Sequence, residues 1–371
     1  MSPTLPARGL DIIVECLRPE AGGPRGARVR PSLRDWTAAL TLANRHWLTP
    51  AVHAALAEAG RSDDVPPEVR DYLALLHRAN AERNQALRRQ AVELVAALNN
   101  VEIAPMLLKG GLTLFLPLYS QPGVRMIRDL DVLIPPDLGA RACEALASLG
   151  YRIATRYEAG HNAYGDFTRP NDPGAVDLHF EPIEMPYLLS ATEMWSRARP
   201  VVADGVRFVA PSSTDMVLHH LLHAQIHYLG NFYRGVVELR QLYELALFVR
   251  HYQDVDWTLI AERFSRHRLD VALESYLLAA QRLFDNPWPL PHPASRAAHA
   301  HCRRCLLQLK YPALARVGIP WANIHAAFAW HRINHFYGRQ RPVAVARVTH
   351  AARYIAKTAT WDVVLRVLRT Q

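Results

Sequence analysis

The apolar positions of this chain change period twice, and the changes divide it into three stretches. From Ser32, which offers a helix cap, Trp36, Leu40, Leu42 and Trp47 recur at helical spacing. Val65 opens a second helix with Pro66 and Pro67 in its first turn, a place where the missing N–H costs nothing. Its stripe runs through Leu73, Leu76 and Ala79 to Leu94 and Leu98, which predicts a long helix, broken once, ending at Asn99-Asn100. Residues 1–100 therefore read as a helical unit, with a Gly/Pro/Arg-rich loop from Gly22 to Pro31.

From Ile103 the period shortens. Ile103 to Leu108 is a brief apolar run stopped by Gly110-Gly111, Leu112 to Tyr119 is compatible with a helix, and Pro122-Gly123 marks a turn. Asp131 to Ile134 reads as a buried strand closed by Pro135-Pro136, followed by a helix from Leu138 to Leu149 with Gly150 at its C′ position. Strands are expected at Tyr151 to Arg156, His161 to Thr168 and Ala175 to Phe180, and a hairpin about Asp204-Gly205 over Val201 to Val209. Residues 101–210 form an α/β unit on a mixed sheet. Beyond Ser212 and Asp215, close to a capping box, helical spacing returns at 213–229, 235–251, 256–266, 269–284 and 294–309, with two more helices after Trp321. The fold class is α+β, mostly helical: a sheet core at 101–210 between helical units at 1–100 and 211–371.

Composition adds limits. With 371 residues, half of them hydrophobic, the chain can bury a large core. Its net charge of +9 is carried almost wholly by Arg, since Lys109, Lys310 and Lys357 are the only lysines; with abundant Ala, Leu and Pro, that skew reflects base composition more than a nucleic-acid partner. Four scattered cysteines, Cys16, Cys143, Cys302 and Cys305, make no disulfide framework and suit a reducing compartment. No signal peptide or transmembrane segment is expected, so the location read from sequence is cytoplasmic.

The chemistry concentrates between Leu107 and Pro136. In a strand, Asp129 and Asp131 point to one face while Leu130 and Val132 face the core. Two carboxylates sharing a patch repel by roughly 4 kcal/mol at about 4 Å, so such a pair needs a cation or a shared proton. Oxygen donors suit Mg²⁺ or Mn²⁺ better than zinc. Lys109, in a chain that otherwise uses Arg, stands beside two glycines where a compact ammonium is useful.

A glycine pair after a strand, then Asp129-Leu130-Asp131-Val132, then Val176-Asp177-Leu178 on a later strand, resembles the DNA polymerase β-like nucleotidyltransferase superfamily. LLKGG, RMIRDLD and VDLHF are similar to a bacterial group of uncharacterised nucleotidyltransferases, a likeness that extends over most of the chain. The resemblance implies transfer of a nucleoside monophosphate, AMP from ATP in the first instance, to a hydroxyl or phosphate with release of pyrophosphate. It implies Asp129, Asp131 and Asp177 as catalytic and metal-holding carboxylates. Lys109, Gly110, Gly111, Arg125 and Arg128 become the triphosphate contacts. Seventeen residues, Leu112 to Arg128, separate the glycines from Asp129, longer than the roughly dozen of the generic motif, which weakens the glycines' part.

Bland readings stand beside these. Asp129 and Asp131 can be the polar edge of a strand paired with Arg125 and Arg128, and Lys109 can orient carboxylates instead of phosphate. His219, His223 and His227 line one helical face with His220 beside them, as core hydrogen-bonding groups or as a zinc pair. His161, His179, His223 and His227 are candidate substrate contacts. Cys302 and Cys305, three apart on a helix near His299 and His301, read as packing residues. The basic amphipathic segment Ala351 to Leu368 packs on the bundle or meets a membrane surface or nucleic acid. No GxxxxGK[ST], GxGxxG or GxSxG motif occurs, which disfavours P-loop, dinucleotide-binding and α/β-hydrolase folds. The acceptor is expected to be a small molecule, peptide or protein before RNA; a degenerate, non-catalytic module that binds peptide, protein or RNA is the competing class.

Overall fold

In a computed structural model, the structure describes residues 5–18, 31–116, 118–157, 161–227, 230–337, 345 and 347–352. The N-terminal helices are α1 (Leu5–Leu17), α2 (Leu33–Arg45), α3 (Thr49–Glu58) and α4 (Pro67–Asn100). The middle of the chain gives β1 (Met106–Leu107), α5 (Lys109–Thr113), β2 (Asp129–Leu133), α6 (Gly139–Ser148), β3 (Arg152–Arg156), β4 (Ala163–Thr168), β5 (Ala175–His179), α7 (Ala191–Ser196), β6 (Arg199–Ala203) and β7 (Val206–Ala210). Then follow α8 (Ser213–Gln225), α9 (Asn231–Arg234), α10 (Leu239–His251), α11 (Trp257–Arg266), α12 (Asp270–Phe284), α13 (Arg296–Lys310), α14 (Ala313–Ala327) and α15 (Trp330–Tyr337). This is an α+β protein, mostly helical, as the periodicity predicts.

The seven strands lie in the order β3-β4-β5-β2-β1-β7-β6. β2 pairs with β5, and β1 with β7, in parallel; the other neighbours are antiparallel. The two central acidic strands are thus adjacent although 41 residues lie between them. Leu130, Val132, Val176 and Leu178 bury one face against Leu87, Leu94 and Leu98 of α4 and Leu146 of α6. A second apolar core joins α1 to α3 with α8 to α13, so the N-terminal helices and those that follow the sheet share one interior. Arg18 fastens that contact by donating to the carbonyls of Arg282 and Leu283.

Several expectations need correction. α4 is continuous over 34 residues, not broken. Its stripe lapses at Asn80 and Asn84, yet both are buried, because each donates to carbonyls of the Pro122–Arg125 loop. A polar residue on a core face looks like a break until its partner is in view. The helix expected at Leu112 to Tyr119 instead starts at Lys109 and stops at Thr113, ahead of Pro117, whose ring and missing N–H oppose continuation. Helices α1, α3 and α7 were not expected. The Asp204-Gly205 hairpin and the Gly150 terminus, with φ of +88°, are found where the turn residues put them.

No helix among the described residues is long and apolar enough to cross a membrane. The Gly22 to Pro31 loop, except Pro31, and the Ala351 to Leu368 segment, except its first two residues, lie outside the described residues.

Candidate metal and nucleotide site

Register alone assembles the site. The parallel β2–β5 ladder sets Asp131 opposite Asp177 and Leu133 opposite His179. Alternation along each strand then turns Asp129 and Asp131, and Asp177 and His179, to the face away from α4 and α6. Ligand atoms of Asp131, Asp177 and His179 all lie within 4.8 Å of one another. The side chain of Asp131 is 4% exposed, that of Asp177 19% and that of Asp129 32%, so the cluster opens outward along β2.

Lys109 reaches this cluster from the end of β1. The Leu108 N–H donates to the Asp131 carbonyl, and Lys109 follows with φ of +46°, which swings its ammonium to 2.7 Å from Asp131 Oδ1. Gly110 and Gly111 are buried behind it. A Cβ on Gly110 would sit 2.7 Å from Ile127 Cγ2, so that glycine is required by packing.

Charge in the site is largely balanced from within. Burial opposes the Asp131 carboxylate, but Lys109 and the hydrogen bond from His179 outweigh it and hold its pKa far below the usual range. Burial and then repulsion by Asp131 push Asp129 upward, against the pull of Lys109 and Arg128. His179 Nε2 lies 3.2 Å from Asp131 Oδ1 and 3.0 Å from Asp177 Oδ2. Burial disfavours an imidazolium there, yet the two carboxylates raise its pKa. Asn162 works the other way: its amide N–H₂ donates to the Glu181 carbonyl and lies 3.2 Å from His179 Nδ1, which makes Nδ1 the acceptor and leaves the proton on Nε2. In that tautomer His179 donates to the aspartates and offers no lone pair to a metal. Asp177 Oδ1 remains a buried acceptor with no partner among the described residues.

That orphaned oxygen, beside the carboxylates of Asp131 and Asp129, fits a hard divalent cation with oxygen donors. An unpaired buried acceptor is costly, and a cation or a donor from substrate relieves it.

Other residues singled out from sequence are placed as follows. Arg128 is exposed and 3.2 Å from Asp129 Oδ2, at the mouth of the site. Arg125 is buried and pairs with Glu244 of α10 at 2.5 Å. His161 stacks on Tyr157 with ring centroids 3.7 Å apart and faces Glu184. His219 and His223 lie on α8 and His227 just past its end; burial, then the Lys109 charge, lowers all three, His219 and His227 to about 3. His219 Nε2 is on the carbonyl of Pro182, in the segment after β5, and His220 Nε2 on the Gln241 carbonyl of α10, which accounts for two histidines as hydrogen bonds that tie α8 to its neighbours. His223 and His227 stack at 5.0 Å.

Sequence reasoning missed the supports. Arg83 donates to the carbonyls of Ile127, Arg128 and Pro173, and with Asn80 and Asn84 it fixes the long segment leading into β2. Asn162, Glu244 and Gln241 also went unremarked. The only available signal was polar residues at helical spacing on an apolar face, which by itself names no partner.

A family model described as "Uncharacterised nucleotidyltransferase" matches residues 32–285, more than half of the chain and all of the site above. No curated protein and no solved structure matches.

Proposed function

This chain belongs to the family described as uncharacterised nucleotidyltransferases, and we propose on that footing that it transfers a nucleoside monophosphate from a nucleoside triphosphate to an acceptor hydroxyl or phosphate. One observation carries the reading: Asp131 and Asp177 stand side by side on parallel strands, with Asp177 Oδ1 buried and unpartnered. Mg²⁺ or Mn²⁺ held by Asp131 and Asp177, with Asp129 at the rim, would neutralise phosphate charge and lower the acceptor oxygen's pKa. The acceptor proton passes to the Asp177 carboxylate as the new bond from acceptor oxygen to α-phosphorus forms. The bond from α-phosphorus to the bridging oxygen breaks, and pyrophosphate leaves. His179 holds Asp131 and Asp177 in place from behind, through its Nε2–H. Arg128, exposed at the mouth, meets the departing pyrophosphate. Lys109 holds Asp131 ionised in the resting site and is within reach of phosphate oxygens once Asp131 has another cation. Arg125 is assigned a structural part, since Glu244 occupies it.

ATP is the first co-substrate to test, and the acceptor class is a small molecule, peptide or protein in a reducing cytoplasm. Pyrophosphate release and label transfer from α-labelled nucleotides with Mg²⁺ provide the assay. Asp131→Asn and Asp177→Asn are each expected to lower turnover by roughly a thousandfold or more; a variant that keeps even a tenth of the activity would sink the mechanism.

The competing class, a non-catalytic module, draws on a specific feature: Lys109 and His179 already satisfy Asp131 without a metal. It requires nucleotide or partner binding that is indifferent to Mg²⁺ and Mn²⁺, which calorimetric titration separates from the enzyme reading.

A further inference from the structure

Positive charge is concentrated in the last part of the chain. Residues 286–371 hold thirteen Arg and Lys against a single acid, Asp362, whereas acids outnumber bases in residues 1–285. The family match ends at residue 285, so the whole positive excess lies beyond it. Within this part α13 has two unlike faces. Ala298, Cys302, Cys305 and Leu309 are buried in the core shared with α12. Arg296, Ala300, Arg303, Leu307 and Tyr311 recur every three or four residues along the opposite side, and all are exposed. The Tyr311 N–H donates to the Leu307 carbonyl and the Leu314 N–H to the Tyr311 carbonyl, which carries the row into α14.

Two properties of this row point outward. Neither α13 nor α14 contains an acid, and Arg296, Arg303 and Lys310 form no ion pair with a described residue. Leu307, Tyr311 and Leu314 are 50%, 39% and 47% exposed, and six of the twelve large apolar side chains exposed among the described residues fall between Leu307 and Val348. A nucleic acid would neutralise the bases but leave the leucines in water. An anionic bilayer surface answers both, since its headgroups meet the bases and the boundary with the acyl chains takes up the leucines. We propose that the exposed row of α13 and the start of α14 is a peripheral contact for a membrane surface bearing anionic phospholipids. Arg296, Arg303 and Lys310 meet headgroup phosphates, and Leu307, Tyr311 and Leu314 enter the interface. The contact needs neither metal nor nucleotide, so it goes beyond the carboxylate site and is tested apart from it.

Sedimentation of the full chain with phosphatidylcholine vesicles, with and without a quarter of phosphatidylglycerol, provides the test, beside fluorescence titration of single-stranded RNA. Binding to the anionic vesicles is expected to exceed binding to the neutral ones by at least about tenfold and to weaken in high salt, because each Lys or Arg at such a surface contributes roughly fivefold. Arg303→Gln/Lys310→Gln should weaken it by about twentyfold. Leu307→Ser/Leu314→Ser, which leaves the charge untouched, should weaken it by about tenfold. If either pair fails to fold by circular dichroism, Arg303→Gln and Leu307→Ser alone take their places, each with a loss of about threefold or more. Equal binding to the two kinds of vesicle, binding to neither, or a serine variant that binds as tightly as the native chain overturns the membrane assignment. RNA binding that displaces the vesicles and is unchanged in the serine variant also overturns it, and makes the face a nucleic-acid site.

Discussion

Replacing Arg125 with Met isolates a buried charge. Arg125 and Glu244 are 9% and 4% exposed in their side chains and 2.5 Å apart, with Arg240 a more distant second cation at 3.7 Å. At an effective dielectric near 20, two charges at that distance attract by roughly 7 kcal/mol, and most of this offsets the cost of taking both out of water. Removing only the guanidinium leaves the desolvation of Glu244 uncompensated except by Arg240 and Tyr119. A loss of about 3 kcal/mol is expected for Arg125→Met, and most of it should return in Arg125→Met/Glu244→Met, where neither charge is buried. Urea denaturation of the four chains of the cycle measures this, with Mg²⁺-tripolyphosphate affinity as a parallel readout. A single-variant loss below about 1 kcal/mol would refute the electrostatic reasoning. Loss of tripolyphosphate binding in a fully stable double variant would refute the structural role and return Arg125 to the phosphates.

Three further outcomes follow from the site. His219, His220, His223 and His227 all have pKa values lowered by burial, to about 3, about 4, well below the usual value and about 3. Between those values and 6.5 the unfolded chain binds more protons, so stability present above pH 6.5 is lost as pH falls, by up to about 1.4 kcal/mol per pH unit for each histidine; urea midpoints that stay flat from pH 7 to 5 would contradict it. Asp129, pushed upward by burial and by Asp131, is expected to leave the metal-free protein about 1 kcal/mol more stable as Asp129→Asn, with the gain vanishing in saturating Mg²⁺; a destabilised variant in chelator counts against the repulsion. Gly110→Ala should cost about 1–3 kcal/mol through the Ile127 contact and recover with Ile127→Ala, read by thermal melting; a neutral Gly110→Ala would mean that the glycine answers to phosphate rather than to packing.

The sequence by itself determined the local structure and the chemistry of each part. Period and turn residues were enough for the strand at Asp131, the hairpin at Asp204-Gly205 and the capped start of α8, because those depend on neighbours in the chain. The two-residue alternation put Asp129 and Asp131 on one face without any structure. What it could not fix was which groups meet across the fold. Lys109, Asp131, Asp177 and His179 converge only because β2 pairs with β5 in one register, and a slip of one residue would send Asp177 to the opposite face. Arg125 and Arg128, three residues apart and alike in sequence, were separated by Glu244, which lies 119 positions further along the chain and takes one of them into the core. Asn80 and Asn84 weakened an otherwise continuous helix in the sequence and became its anchors once the loop carbonyls were beside them. A side chain's type is written locally, but its protonation, partner and accessibility are set by what packs against it, and only the tertiary structure decides that.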